Sequence, residues 1–158
     1  MCRCIARRVL NIQKIMLYEI ENVFIIDFSE TGLGIAIAGF ARVEPVLKIE
    51  MSRLSSDDDL LQLIDFEQGL LEPDSMDQVP AFHYHGDDPN VHKAYQVICR
   101  LRHYADVVTL FEKDMEPYLL ALLEWTLPVV SYKGVDKLRK RYSACSAALI
   151  CEKILSIS

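Results

Sequence analysis

The pattern of apolar residues changes from short β-like segments to helical periodicity near Asp57, and this change most constrains the fold. The segment 18–34 alternates acidic and apolar residues, continues as an apolar run and breaks at a turn that contains Gly32. Two short apolar segments on either side of a glycine-containing turn are typical of a small β-unit. We therefore predict an α+β fold, in which a small N-terminal β-rich module precedes a mainly α-helical bundle domain.

The same change of pattern divides the chain into three parts. Residues 16–54 are the predicted β-rich module, and residues 55–158 are the α-helical domain. Residues 1–15 are an extension that we expect to be disordered or dispensable, because they carry no pattern continuous with the β-unit and Met16 stands directly before the first structured run. They lack the apolar core and cleavage site of a secretion signal, and a transit-like segment is the alternative. Residues 45–54 are short and amphipathic, and they are compatible with either a strand or a helical turn.

Four helices are predicted in the second part of the chain. The first, over 58–69, follows small capping side chains and begins with acids that favour the positive end of a helix dipole. The second begins at Pro89 and has the clearest helical periodicity. Its apolar positions are Val91, Tyr95, Ile98, Leu101, Ala105, Val108 and Phe111. The third, over 115–127, is apolar around most of its circumference, and the fourth follows Gly134.

Composition narrows the classes of function that the chain can serve. The chain has 158 residues and a net charge of −6 at pH 7, which argues against independent binding to nucleic acid. The five cysteines form neither a disulfide framework nor a zinc pattern, so we expect a reducing, intracellular environment. Cys99, Cys145 and Cys151 fall within helical patterns and are interpreted as buried apolar side chains. The longest apolar runs are too short for a membrane span.

Two groups of residues resemble reactive or metal-binding sites. His83 and His85 form a His-x-His pair near His92, but a polar loop before the second helix is the favoured interpretation. Cys99 and His103 lie four positions apart on a predicted helix, yet Cys99 belongs to the apolar stripe. We therefore predict no catalytic, cofactor-binding or metal-ligating residues, and no cofactor.

Asp27 supports a different class of function as an alternative. It ends an apolar run ahead of Gly32-Leu33-Gly34, in the manner of the first strand of a ribonuclease-H-like nuclease. In such enzymes further carboxylates join the aspartate at a divalent metal. No later strands are predicted here, and residues 142–147 contain no acid. A turn in the β-unit is therefore favoured over an active or degenerate nuclease centred on Asp27.

Four short pieces of the chain occur in the same order as in a known family. They are Tyr-Glu-Ile-Glu-Asn-Val-Phe at 18–24, Thr-Gly-Leu-Gly-Ile at 31–35, Val-Glu-Pro-Val-Leu at 43–47 and Asp-Pro-Asn-Val-His at 88–92. Together they are similar to the acidic opening, the Gly-Leu-Gly turn, the Val-Glu-Leu-Pro-Leu-Trp-Leu run and the Asp-Pro helix start of one protein family. The chain resembles the Psf-three subunit of the eukaryotic GINS DNA replication complex, in a divergent and compact form.

The resemblance implies a non-enzymatic subunit that acts as a scaffold of the replicative helicase in initiation and elongation of DNA replication. The implied partners are three related GINS subunits and, through the complex, the Mcm ring and the Cdc-forty-five protein. Neither direct sequence-specific binding to nucleic acid nor membrane binding is implied, and the implied location is the nucleus. The expected interface residues are Tyr18, Ile20, Val23, Leu33, Tyr95, Ile98, Leu101, Phe111, Leu119 and Trp125.

A third class of function stays open as well. The sequence pattern of the helices between Ile98 and Trp125 resembles that of a helical-repeat nuclear transport receptor. In this alternative the chain would be a fragment of such a receptor. That alternative predicts stacked antiparallel helix pairs and no β-unit.

Overall fold

Helices make up most of the chain, as a computed structural model describes it for residues 3–7, 15–18, 22–25, 31–35, 37–110 and 113–157. The α-helices are α1 (Ala38–Pro45), α2 (Asp57–Leu71), α3 (Pro89–Val108), α4 (Glu116–Thr126) and α5 (Lys137–Ile157). A π-helical turn, Val46–Glu50, continues α1, and a 3₁₀-helical turn, Leu127–Ser131, continues α4. The prediction of a mainly α-helical fold is therefore confirmed.

Among the described residues, four short strands precede the helices, and their backbones pair two by two. Strand β1 (Arg3–Arg7) is antiparallel to β4 (Thr31–Ile35), and β2 (Ile15–Tyr18) is antiparallel to β3 (Asn22–Ile25). Arg3 lies opposite Ile35 in the first pair. Strand β1 falls within the segment 1–15, which we predicted to be an extension.

The predicted β-rich module over 16–54 ends too late in the chain. Its last part, from Ala38 to Glu50, is helical, so the apolar restart after Gly34 leads into α1 and not into a longer strand. The physical reason is that Glu44 and Lys48 lie one helical turn apart, where both side chains reach the same interior position. A compact β-rich module built from the four strands stays a prediction.

The starts of α2 and α3 agree with the predicted capping signals. The Ser56 hydroxyl accepts a hydrogen bond from the Asp59 amide at 3.0 Å, and the Asp59 carboxylate accepts one from the Ser56 amide at 3.1 Å. This reciprocal capping box satisfies two amides that have no partner within the helix. The Asp88 carboxylate accepts a hydrogen bond from the Asn90 amide at 3.0 Å, and Pro89 occupies the first turn of α3.

The apolar core consists of two clusters. One joins α1, α4 and α5 and includes Ile37, Ala41, Leu119, Leu122 and Ile150. The other joins α2, α3 and the π-helical turn and includes Ile49, Leu63, Phe66, Val91 and Ile98. The predicted burial of the cysteines is only partly correct, because Cys151 on α5 is exposed and the other two helical cysteines are half-buried.

The helices do not pack as a stack of successive pairs. Helix α1 packs against α3 and α4, and α5 packs against α2 and α4. Most of these neighbours are distant in sequence, whereas a helical repeat packs each helix against the next one along the chain. The packing therefore differs from the one that the transport-receptor alternative predicts.

Candidate functional site: a buried ionic network and an adjacent groove

Six polar side chains meet inside the helical domain, and each of them is at most 2% exposed. Each comes from a different helical element. They are Glu44 of α1, Lys48 of the π-helical turn, Glu67 of α2, Arg102 of α3, Tyr118 of α4 and Tyr142 of α5. We call these six residues the buried network. Such a set of buried polar groups is stable only when its members form hydrogen bonds and ion pairs with one another.

Glu44 is the most heavily bonded member of the buried network. Arg102 donates from Nη2 to Glu44 Oε1 at 2.9 Å and from Nε to Glu44 Oε2 at 3.2 Å. Tyr118 donates its hydroxyl to Glu44 Oε2 at 2.9 Å, and Lys48 Nζ lies 3.2 Å from Oε1. The two-pronged contact with the guanidinium fixes both the distance and the orientation of α3 relative to α1.

Glu67 forms the second half of the buried network. Lys48 Nζ donates to Glu67 Oε1 at 2.7 Å, and the Tyr142 hydroxyl donates to Glu67 Oε2 at 3.0 Å. The remaining nitrogen of Arg102, Nη1, donates to the carbonyl oxygen of Leu70 at 2.5 Å. Two carboxylates therefore face two cations, so the formal charges of the buried network sum to zero.

The electrostatics of the buried network hold Glu44 in its charged form. Burial alone raises the pKa of Glu44, but the charges of Arg102 and Lys48 and the hydrogen bonds from Arg102 and Tyr118 outweigh it. The pKa of Glu44 is lowered from 4.5 to about 2. Burial and the neighbouring carboxylates raise the pKa values of Tyr118 and Tyr142 well above 10.0, so both hydroxyls stay available as donors.

The buried network is suited to holding helices together. Every carboxylate oxygen in it has a donor, and both cations are engaged by carboxylates. A catalytic group would need an atom that is free to contact a substrate. The contacts of the buried network instead join the helices α1 to α5 to one another. Sequence reasoning missed this network, although Glu44 and Lys48, four positions apart in an apolar stretch, carried a usable signal.

A groove of about 400 Å³ lies beside the buried network, between α3 and the loop that precedes it. Cys99, His103 and Asp106 line its α3 side, and the loop wall includes Met76, Val79 and Pro80. Lys113 and Asp77 also line the groove, and Lys113 donates from Nζ to Asp77 Oδ2 at 2.6 Å. The hydrogen bond from Lys113 lowers the pKa of Asp77, and the same contact raises the pKa of Lys113.

A second groove, of about 220 Å³, lies between α1 and the end of α4. The guanidinium carbon of Arg42 lies 4.1 Å from the ring centroid of Trp125, a cation–π geometry. The Trp125 indole nitrogen is buried and has no hydrogen-bond partner among the described residues. The contact with Arg42 places Trp125 against α1 of its own chain. The Trp125 side chain as a whole is half-buried.

The predicted interface residues of the helices lie at different depths. Ile98 and Leu119 are fully buried in the chain's own core, so they are not accessible to a partner in this fold. Tyr95 and Leu101 are half-buried, and the Tyr95 hydroxyl donates to the Pro80 carbonyl at 2.7 Å. Of the apolar positions that the helical periodicity identified, Val91, Ile98 and Ala105 lie in the core. Val108 is exposed, in contrast to the half-buried Tyr95 and Leu101.

The remaining interface predictions concern the N-terminal part and the end of α3. Tyr18, Val23 and Leu33 lie on β2, β3 and β4, for which only the backbone is described. Ile20 and Phe111 lie outside the described residues. Their roles stay predictions.

The outer face of α3 carries an apolar stripe, of which the helical periodicity identified Leu101 and Val108 but not Val97 and Tyr104. Val97 is 40% exposed, Tyr104 is 56% exposed and Val108 is 40% exposed. Their spacings of seven and four residues place them on one side of the helix, and half-buried Leu101 lies between them. We call Val97, Leu101, Tyr104 and Val108 the outer stripe.

The candidate reactive groups do not form a metal centre. Exposed His83 lies near Glu72, with 3.4 Å between Nε2 and Oε1, and the His92 ring packs on Phe82. Within the described ranges, no three or more His, Cys, Asp or Glu side chains come close enough to hold a metal ion. Asp27, on which the nuclease alternative depends, lies outside the described residues.

Comparisons with known proteins do not assign the chain to a family. A scan against protein-family models, a search of curated proteins and a search of solved structures each found no match. Over the part of the chain that the structure describes, every helix is too short or too polar to cross a membrane.

Proposed function

We propose that the chain is a non-enzymatic scaffold subunit of a GINS-type DNA replication complex. The four motifs that resemble the Psf-three subunit support this proposal, as does their order along the chain. The structural observation that carries it is the outer stripe. Isolated exposed apolar residues are common on protein surfaces, but a run of them on one helix face marks a surface for a partner.

The buried network supports a scaffold more than a catalyst. Its hydrogen bonds hold α3 against α1 from inside, which leaves the outer face of α3 free to carry a partner without losing its position. A helix that presents apolar residues at intervals of seven and four suits packing against another helix. The proposed partners are accordingly the three related, helical GINS subunits.

The wider role follows from that assembly. The chain would contact the Mcm ring and the Cdc-forty-five protein through the complex, and it would act in the nucleus. It would make no direct sequence-specific contact with nucleic acid, in keeping with its net charge of −6. The N-terminal strands would form the small β-rich docking module.

The test is co-expression of the full chain with the other three subunits of a eukaryotic GINS complex. We expect one complex of four chains in gel filtration with light scattering. The double variant Val97→Asp/Val108→Asp should abolish co-purification, because two charges would be buried against an apolar partner.

The matched control is Leu61→Asp, which places the same charge at an exposed apolar position of α2. Leu61→Asp should leave the complex intact, and circular dichroism should give helical spectra for all the variants. If the wild-type chain stays outside the complex, or the stripe variant assembles as well as the control, the scaffold proposal is wrong.

A further inference from the structure

The exposed surface of α3 carries charge of a single sign beside the outer stripe. Lys93 is exposed and lies four positions before Val97 of the stripe. Arg100 is exposed as well and lies four positions before Tyr104. Residues four positions apart are neighbours on a helix surface, so each cation flanks an apolar member of the stripe. Along α3, which the structure describes throughout, the one acid is Asp106, and it is 3% exposed.

The apolar part of this surface extends past the outer stripe. Val107 is 37% exposed, and Leu110, just beyond the end of α3, is 79% exposed. Val107 follows Arg100 by seven positions, so the basic and the apolar residues share one side of the helix. Apolar contacts on such a surface supply the attraction, whereas the cations select the charge of the partner.

The number of cations restricts the class of partner. Besides His92 and His103, the exposed cations of α3 are Lys93 and Arg100. Segments that bind anionic lipid surfaces carry clusters of about 4–8 Lys and Arg residues. Binding to nucleic acid also depends on several phosphate contacts. Two cations beside an apolar row therefore suit a protein partner better than a membrane or a nucleic acid.

We propose that the outer stripe binds an acidic amphipathic helix of a partner subunit, whose apolar residues pack on the stripe and whose Asp or Glu side chains face Lys93 and Arg100. Opposite charges at these two places fix the register of the partner helix and disfavour a basic helix. This inference rests on the proposed function, because it specifies the chemistry of the partner at the same surface.

The outer face of α2 in a second copy of the chain is the competing occupant. Asp58, Leu61 and Asp65 are exposed on it at spacings of three and four positions. Such a contact would join two different faces of the same chain, so each pair of chains would leave one face of each kind open and would tend to grow into open chains. A helix from a different subunit is therefore favoured.

Fluorescence anisotropy with labelled helical peptides tests the charge preference on the full chain, apart from any complex. The three peptides share an apolar face of Leu at helical spacing and carry Glu, Gln or Lys at the flanking positions. We expect the Glu peptide to bind at least about fivefold more tightly than the Gln peptide, and the Lys peptide to bind most weakly. The differences should shrink as the salt concentration rises. Val97→Asp/Val108→Asp should abolish the binding of all three.

A charge reversal connects this preference to α3. Lys93→Glu/Arg100→Glu should reverse the order, so that the Lys peptide binds most tightly. The matched control, Lys133→Glu/Lys137→Glu, reverses two exposed cations outside α3 and should leave the order unchanged. Because all the substituted residues are exposed, we expect each variant to fold. Binding by none of the peptides, an unchanged order in the α3 variant, or equal effects of the two double variants overturns the proposal.

Co-expression with the other three subunits separates this inference from the proposed function. We expect the wild type and Lys133→Glu/Lys137→Glu to join the complex and Lys93→Glu/Arg100→Glu to be lost from it. If Lys93→Glu/Arg100→Glu assembles as well as its control, the acidic partner helix is wrong and the scaffold role stands. If the wild type stays outside the complex but the peptides bind in the expected order, the preference for an acidic helix stands and the GINS-type role is wrong.

Two further measurements decide between the occupants. Self-association of the chain in light scattering that is lost in both Leu61→Asp and Val97→Asp/Val108→Asp would assign the stripe to a second copy and overturn the proposal. Co-sedimentation with vesicles of phosphatidylserine and phosphatidylcholine that is lost in Lys93→Glu/Arg100→Glu would assign it to a membrane surface and overturn the proposal as well.

Discussion

Glu44 is the residue on which the buried network depends, because three other members contact its two oxygens. Glu44→Gln keeps the shape of the side chain and removes its charge. Arg102 and Lys48 would then share a single buried carboxylate. We expect the free energy of unfolding to fall by roughly 3–5 kcal/mol, as measured by urea denaturation.

The matched control for Glu44→Gln is Asp87→Asn, which removes one charge from an exposed pair. Arg53 Nη2 and Asp87 Oδ1 are 2.8 Å apart, but both side chains are mostly exposed. We expect a loss of at most about 1 kcal/mol from this variant, because water screens the pair. Equal losses in the two variants would show that the buried network contributes no more than a surface contact.

The lowered pKa of Glu44 makes stability depend on pH in a defined range. Because the folded state holds the pKa of Glu44 at about 2 and its ordinary value is 4.5, the unfolded chain takes up a proton first as pH falls. The stabilising contribution of Glu44 is therefore complete above pH 4.5 and is lost between that pH and about 2.

The measurement is the difference in unfolding free energy between wild type and Glu44→Gln at several pH values. This difference should be greatest above pH 5 and should shrink by about 3 kcal/mol toward pH 2. Taking the difference removes the common effect of the exposed carboxylates. A difference that stays constant from pH 6 to pH 2 would contradict the assignment of the shift to Glu44.

At the scale of elements, α2 depends on a glycine that lets the following loop approach. A Cβ atom at Gly69 would lie 2.6 Å from the Ala81 carbonyl oxygen, and that backbone is held by a hydrogen bond from the Ala81 amide to the Gly69 carbonyl. We expect Gly69→Ala to lower the free energy of unfolding by about 1–3 kcal/mol, measured by thermal denaturation.

Gly39 provides the contrasting substitution in α1. A Cβ atom there meets no described atom within 4 Å. Gly39→Ala should therefore raise stability by up to about 1 kcal/mol, because alanine loses less backbone entropy in a helix. If Gly69→Ala were as harmless as Gly39→Ala, the close approach of α2 and the loop would not constrain the fold.

Local signals predicted some elements well and others poorly. The starts of α2 and α3 were predictable, because Ser56, Asp59 and Asp88 cap helices through contacts within four residues. Helix α1 was missed, because its helical state depends on burying Glu44 and Lys48 against distant elements. The groove beside α3 was not predictable either, since it forms where the loop at 76–80 meets α3 and Lys113.

At the scale of the whole molecule, the helical domain should unfold as one unit. Each of the helices α1 to α5 contributes one residue to the buried network. No helix can therefore separate from the others without exposing a charged group or removing its partner. Trp125 is the only tryptophan of the chain, and Arg42 of α1 lies over its ring. Its fluorescence therefore reports on contact between α1 and α4.

We expect urea unfolding curves from tryptophan fluorescence and from far-ultraviolet circular dichroism to coincide. Coincident transitions from a tertiary and a secondary probe indicate two-state unfolding. A fluorescence transition at lower urea, with helix content retained, would mean that α1 and α4 separate before the rest of the domain melts.

The buried network also bears on the order in which the domain assembles. Its hydrogen bonds join residues that are 58, 74 and 75 positions apart in the chain. Such contacts require large loops to close, so we expect them to form late in folding, after helices and local contacts exist. Interactions absent from the transition state slow unfolding without speeding folding. We therefore expect substitutions of Glu44, Glu67 and Arg102 to speed unfolding more than they slow folding, as stopped-flow kinetics in urea would measure.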